Sequence, residues 1–240
     1  MLGLGTGIHY SGAPSEFGLG DVGRLALWYK NNTNISTAQW NDQSGNNRHA
    51  VPVNESNLAA VSEGGFDFEE GESDCYEFSP EIVVAAEAGF SLAVVMHTES
   101  STNNTLFSDT NNETLSFQNV NIFRVLTNTP SNTTSKFYKS GTYSTNKMVV
   151  LVNRTAGASG EYSIFKNGTA VAYEASSGAS TLADAGENTG GFTLDTFGAR
   201  SAGPDHFFDG KIYEIAFWNS ELTATEITKV NDYLKDKHGL

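Results

Sequence analysis

The chain has 240 residues, 38% of them hydrophobic, and a formal net charge of −14 from 28 Asp+Glu against 14 Lys+Arg. That charge excludes a phosphate-binding surface, and with it nucleic acid as a partner, while the hydrophobic content supplies a core but no membrane insertion. A single cysteine, Cys75, excludes an internal disulfide, so the fold stands on its core and Cys75 reads as a small buried hydrophobe.

Residues 1–23 are rich in Gly, Ser and Pro with isolated Leu and Phe, which predicts an extended N-terminal arm suited to docking. Met1 to Gly7 carries no basic n-region and no apolar run of signal-peptide length, so synthesis in a host cytoplasm is expected. The Asn-x-Ser/Thr triplets between Asn31 and Asn167 then read as turn chemistry.

The domain proper is expected over 24–240 and opens with a strand at Leu25–Tyr29. Trp40 to Ala50 suits a tight loop in which Asp42 accepts from backbone amides, with Trp40 plugging the core. Short strands follow between turn residues. They fall near Gly65–Phe68, Cys75–Phe78, Phe90–His97, Thr105–Ser108, Thr114–Phe117, Ile122–Leu126, Lys136–Lys139, Met148–Asn153, Tyr162–Lys166, Ala170–Tyr173 and Phe192–Gly198. Asn167-Gly168 is a two-residue hairpin signal. The closing strand, Lys211–Trp218, places Tyr213, Ile215 and Phe217 on one face and Ile212, Glu214, Ala216 and Trp218 on the other. A helix follows: Thr223 and Glu226 form a capping box, and Leu222 staples onto Ile227. Ile227, Val230 and Leu234 make the apolar stripe, and Gly239 is the stop. Many short strands with one terminal helix add up to an antiparallel sandwich.

Five stretches carry a resemblance. Leu25-x-Leu27-Trp28-Tyr29, Trp40-x-Asp42-x-Ser44-Gly45 and Phe66-Asp67-Phe68 begin it, and Phe208-Asp209-Gly210-x-Ile212-x-Glu214-Ile215 with Tyr233-Leu234-x-x-Lys237 closes it. In this order they resemble the laminin-G-like, concanavalin A-like jelly-roll modules. The resemblance implies an all-β, antiparallel jelly-roll β-sandwich over 24–240. It also implies a structural calcium ion at the rim, for which Asp42, Asp205 and Asp209 are the candidate oxygen ligands. The Met-Leu-Gly-Leu-Gly opening and the acidic, Asn/Thr/Ser-rich composition are similar to virion structural proteins of marine tailed phages.

No catalytic pattern emerges. The glycanases of this fold alternate carboxylates along one strand, whereas the densest acidic run, Asp67 to Asp74, is broken by Gly71 and reads as a solvated hairpin tip. Glu214, inside an apolar strand, reads as a structural acid that accepts hydrogen bonds. The histidines lack metal-ligand spacing, and neither a nucleophile elbow nor a phosphate loop is present. A sugar site needs an aromatic platform beside polar partners, for which Tyr138, Tyr143 and Phe207 are the candidates. The expectation is a non-enzymatic virion protein: a head decoration, head or neck fibre, or tail-associated module. It would attach to other virion proteins through residues 1–23, form a homo-oligomer such as a trimer, and contact host-surface glycans. The alternative is a carbohydrate-binding lectin or adhesin; a glycan-degrading enzyme stands behind both.

Overall fold

β-Branched and aromatic residues at period two, punctuated by Gly, Asn and Asp, drive this chain into antiparallel strands. A computed structural model describes residues 17–100, 102–109, 113–119, 122–128, 133–139, 146–171, 190–200 and 205–240. In chain order the strands are β1 (Leu25–Tyr29), β2 (Ile35–Ser36), β3 (Gln39–Trp40), β4 (Val51–Pro52), β5 (Ala60–Ser62), β6 (Gly65–Phe68), β7 (Tyr76–Val84), β8 (Phe90–Thr98) and β9 (Thr102–Ser108). They continue with β10 (Thr114–Asn119), β11 (Ile122–Asn128), β12 (Thr133–Lys139), β13 (Met148–Arg154), β14 (Tyr162–Lys166), β15 (Thr169–Ala170), β16 (Phe192–Phe197) and β17 (Gly210–Trp218), before helix α1 (Ala224–His238).

Two sheets face each other. One runs β15-β14-β13-β8-β17-β6-β5, with β1 also pairing β17; the other runs β12-β11-β10-β9-β16-β7-β4. The main core lies between them and includes Tyr29, Trp40, Phe66, Phe90, Phe107, Phe197 and Phe217. Trp40 is the expected plug, fully buried, stacked on Tyr29 at 5.5 Å and edge-on to Phe66 at 5.1 Å. Cys75 is also buried, and burial pushes its thiol up to about 12, so it behaves as a hydrophobe.

A second core lies outside the eight-stranded sheet. Ala93, Val95, Val149, Leu151 and Trp218 pack there against Ile227, Val230 and Leu234 of α1. The helix has the expected capping box at Thr223 and Glu226, and Gly239 ends it in the left-handed region. Leu19 and Val22 are buried in the same cluster. The part of the expected arm that lies among the described residues therefore packs on the domain, because its apolar side chains find the edge of the helix–sheet interface. Residues 1–16 lie outside the described residues.

Two expectations need correction. The faces of β17 do not alternate strictly: a bulge between Ile212 and Glu214 puts Ile212, Ile215 and Phe217 inside and Tyr213, Ala216 and Trp218 outside. The extra residue turns Tyr213 and Glu214 outward in succession. Gly65 lies against this bulge, where a Cβ would come within 2.1 Å of the Ile212 carbonyl. The acidic run is also not wholly solvated. Asp67 pairs with Lys211 at 3.3 Å. Asp74 is fully buried and accepts from the Glu69 amide at 2.9 Å, closing the turn that carries the exposed Glu69, Glu70 and Glu72.

Candidate functional site

Among the described residues the outer face of the seven-stranded sheet carries no helix. Along β7 and β16 the inward residues are Tyr76, Phe78, Ile82, Val84, Phe192 and Leu194, so the alternation turns Glu77, Val83, Thr193 and Asp195 outward. The β16 register shifts between Leu194 and Thr196, opposite the stretch of β7 that contains Pro80. A proline is tolerated in that strand because the bulge needs no ladder donor there. The result is a cavity of about 500 Å³ lined by Val51, Glu77, Phe78, Ser79, Pro80, Glu81 and Asp195. Val51 and Val83, 37% and 55% exposed, add apolar surface to the same face.

Carboxylates converge beside this cavity from three segments. Thr193 Oγ1 lies against Asp109 and is 2.8 Å from Glu113 Oε2, and the Thr193 amide donates to the same Glu113 oxygen at 3.1 Å. Asp195 accepts from Thr196 Oγ1 at 2.7 Å. Burial pushes the Asp195 carboxyl up, and Asp109 and Glu81 nearby push it further, against the lowering effect of Thr196. This is an electronegative, partly dry patch with apolar walls. It can accept hydroxyl hydrogen bonds and pack aliphatic C–H surface, and it repels anions.

The residues singled out from the sequence lie elsewhere. Asp42 is buried and its carboxylate is saturated: Oδ1 accepts from the Trp28 and Ser44 amides, both at 2.9 Å, and Oδ2 from Ser44 Oγ at 2.8 Å and the Arg48 amide at 3.1 Å. It therefore ties the 42–48 loop to β1. Asp205 is held by Arg200, with Nε at 2.7 Å, and by His206 at 3.0 Å. Burial alone would raise its carboxyl, but those two partners keep it below the usual range. Asp209 accepts weakly from the Glu70 amide at 3.5 Å. The three aspartates thus serve separate hydrogen-bonded assemblies and do not converge as one ligand set. Among the described residues no group of three or more His, Cys, Asp and Glu is placed to hold a metal ion. Phe207 is partly buried just before β17 and does not line the cavity. Tyr138 lies on β12, at the edge of the seven-stranded sheet, opposite Phe123, with its side chain outside the described set; Tyr143 lies outside the described residues altogether.

Glu214 is the structural acid expected. It is 1% exposed, its Oε1 accepts from Trp28 Nε1 at 2.8 Å, and its Oε2 meets Lys237 Nζ at 2.6 Å and His238 Nε2 at 2.8 Å. Burial would raise its carboxyl, but His238, Lys237 and Trp28 together hold it below the ordinary value. It joins β1, β17 and the last turn of α1 at one point.

The fold and face together define a class: a two-sheet jelly-roll sandwich with one outer face sealed by a helix and the other carrying a polar cavity. The family model described as the concanavalin A-like lectin/glucanases superfamily, of laminin-G type, matches residues 70–228, and the chain belongs to that family. Among solved structures the chain is similar to the receptor binding domain of botulinum neurotoxin D, at 15% identity and a TM-score of 0.58 over 88% of this chain and 53% of that one. It is also similar to the receptor binding domain of botulinum neurotoxin type G, at 15% identity and a TM-score of 0.54 over 88% and 51%. A Trypanosoma rangeli sialidase matches at 14% identity and a TM-score of 0.52 over 90% and 33%. The chain therefore spans about half of the neurotoxin domains and about a third of the sialidase, and likeness at these identities establishes the fold. Comparison with curated proteins gives no match.

Proposed function

We propose that this chain is a non-enzymatic, lectin-type recognition module that binds neutral glycans on the outer face of its seven-stranded sheet. The observation that carries the reading is the cavity beside Asp195, where exposed valines adjoin carboxylates from segments far apart in sequence. A sugar ring presents one apolar C–H face and a rim of hydroxyl donors, which matches valine walls with carboxylate acceptors. The same carboxylates repel sialylated or sulfated glycans. Catalysis is not part of the proposal. Asp109 and Glu113 both converge on Thr193 Oγ1, so the protein's own hydroxyl fills the space between them where a glycosidase pair would flank a scissile bond.

The test is a glycan array with the isolated protein. Binding to neutral glycans, abolished by Asp195→Ala with the melting temperature kept, is expected; no binding across the array overturns the reading. A polysaccharide panel should yield no hydrolysis product. Display on a virion through residues 1–23 is the second part of the proposal and rests on the composition of the opening. Unchanged incorporation into particles after deletion of residues 2–20 would remove it.

A further inference from the structure

The buried stripe of α1 faces the sheet, which leaves an outward stripe of Lys229, Asp232 and Asp236 in solvent with Tyr233 partly buried beside it. This stripe, with Phe17 and Lys30, lines a groove of about 710 Å³. Its floor is aromatic, with Phe17 edge-on to Tyr233 at 6.0 Å and Lys229 Nζ 6.0 Å over the Phe17 ring. Among the described residues neither Lys229 nor Asp236 has an ion-pair partner within the chain. Lys237 is already paired with Glu214, so Lys30 and Lys229 against Asp232 and Asp236 leave the groove locally neutral on a protein of net charge −14. A second copy, equally acidic, is repelled over most of the surface and least repelled here.

The order of charges on the stripe is self-complementary. A two-fold axis passing between Asp232 and Tyr233 brings Lys229 of one copy opposite Asp236 of the other, and the reverse. The two positions are seven residues, or about 10 Å, apart along the helix. The same axis sets the phenol of Tyr233 opposite the carboxylate of Asp232. We infer that the exposed face of α1 is a self-association surface that pairs two copies of this chain antiparallel about Tyr233. The surface lies on the helix-covered side of the sandwich and is independent of the glycan reading.

Sedimentation equilibrium on the full chain, with melting temperatures as a folding control, tests the pairing. The unmodified protein should dimerise. Lys229→Asp and Asp236→Lys, both at exposed positions, should each weaken the dimer at least tenfold by setting like charges opposite one another. The double variant K229D/D236K should restore it, because the inverted charges again pair. A monomeric unmodified protein, a dimer indifferent to either single change, or a double variant that stays monomeric would each overturn the pairing. So would a dimer seen only after deletion of residues 2–16, which would mean that the chain's own arm covers the face.

Discussion

On the side covered by α1, Glu214 is buried and meets three donors. On the open side, Asp195 is partly exposed, meets one hydroxyl and lies among other carboxylates. Both are acids on strands of the same sandwich, and their carboxyls move in opposite directions: Glu214 is held down and Asp195 is pushed up. The difference comes from the neighbours. Where Trp28, Lys237 and His238 surround a carboxylate, the charge is consumed in holding the fold together. Where Asp109 and Glu81 surround it, the charge stays available to a ligand that brings donors.

The sharpest way to break that contrast is Glu214→Ala, which leaves Lys237, His238 and the Trp28 indole around a vacated buried site. A loss of about 3–5 kcal/mol in urea unfolding is expected; a loss below about 1 kcal/mol would mean that the cluster does not tether the helix. The pH dependence follows from the same carboxyl. Its folded value lies below the unfolded value of about 4.3, so its stabilisation is present above that pH and disappears as pH falls through the folded value. Urea midpoints followed downward from pH 5 should therefore drop less in Glu214→Gln than in the unmodified chain.

Asp42→Ala is next, at about 1.5–3 kcal/mol, since three backbone amides and a hydroxyl lose their acceptor together. Thr223→Ala removes the side-chain cap of α1 and should cost about 1 kcal/mol, read as a lower urea midpoint with an unchanged slope. Asp195→Asn is the smallest change and has the opposite sign. The folded chain holds the Asp195 proton to higher pH than the unfolded chain, so ionising Asp195 destabilises the fold as pH rises through that window. The amide should raise stability at neutral pH by up to about 0.5 kcal/mol. Destabilisation by this variant would mean that the carboxylates of the open face hold the fold together as those of the covered face do.

The features legible from sequence are those set by neighbours within a few residues. Asn167 and Gly168 adopt the positive φ of a tight hairpin between β14 and β15, and α1 starts and stops where Thr223, Glu226 and Gly239 place its ends. The role of Asp42 is equally readable, because a short side chain before Ser44 and Gly45 reaches amides two and six residues on. The bulge at Tyr213 is not readable. It depends on how β17 registers against β8 across more than a hundred residues of intervening chain.

Local chemistry in the sequence by itself marked the places of the longer strands, the terminal helix, the buried Trp40 and the structural part played by Glu214, but it left β2 to β5 and the second half of β7 unmarked. The sequence order also placed Leu25–Tyr29 and the closing strand in one signature, and β1 does pair with β17. Only the tertiary structure decided which carboxylates meet on the open face of the seven-stranded sheet. Glu113 reaches Thr193 from 80 residues away and Asp109 from 84, and neither lies in a pattern that marks it before the sheet is assembled. Hydrogen-bonded turns and caps are written in short sequence windows, whereas a cluster on a sheet face depends on strand order, and strand order is a property of the whole folded chain.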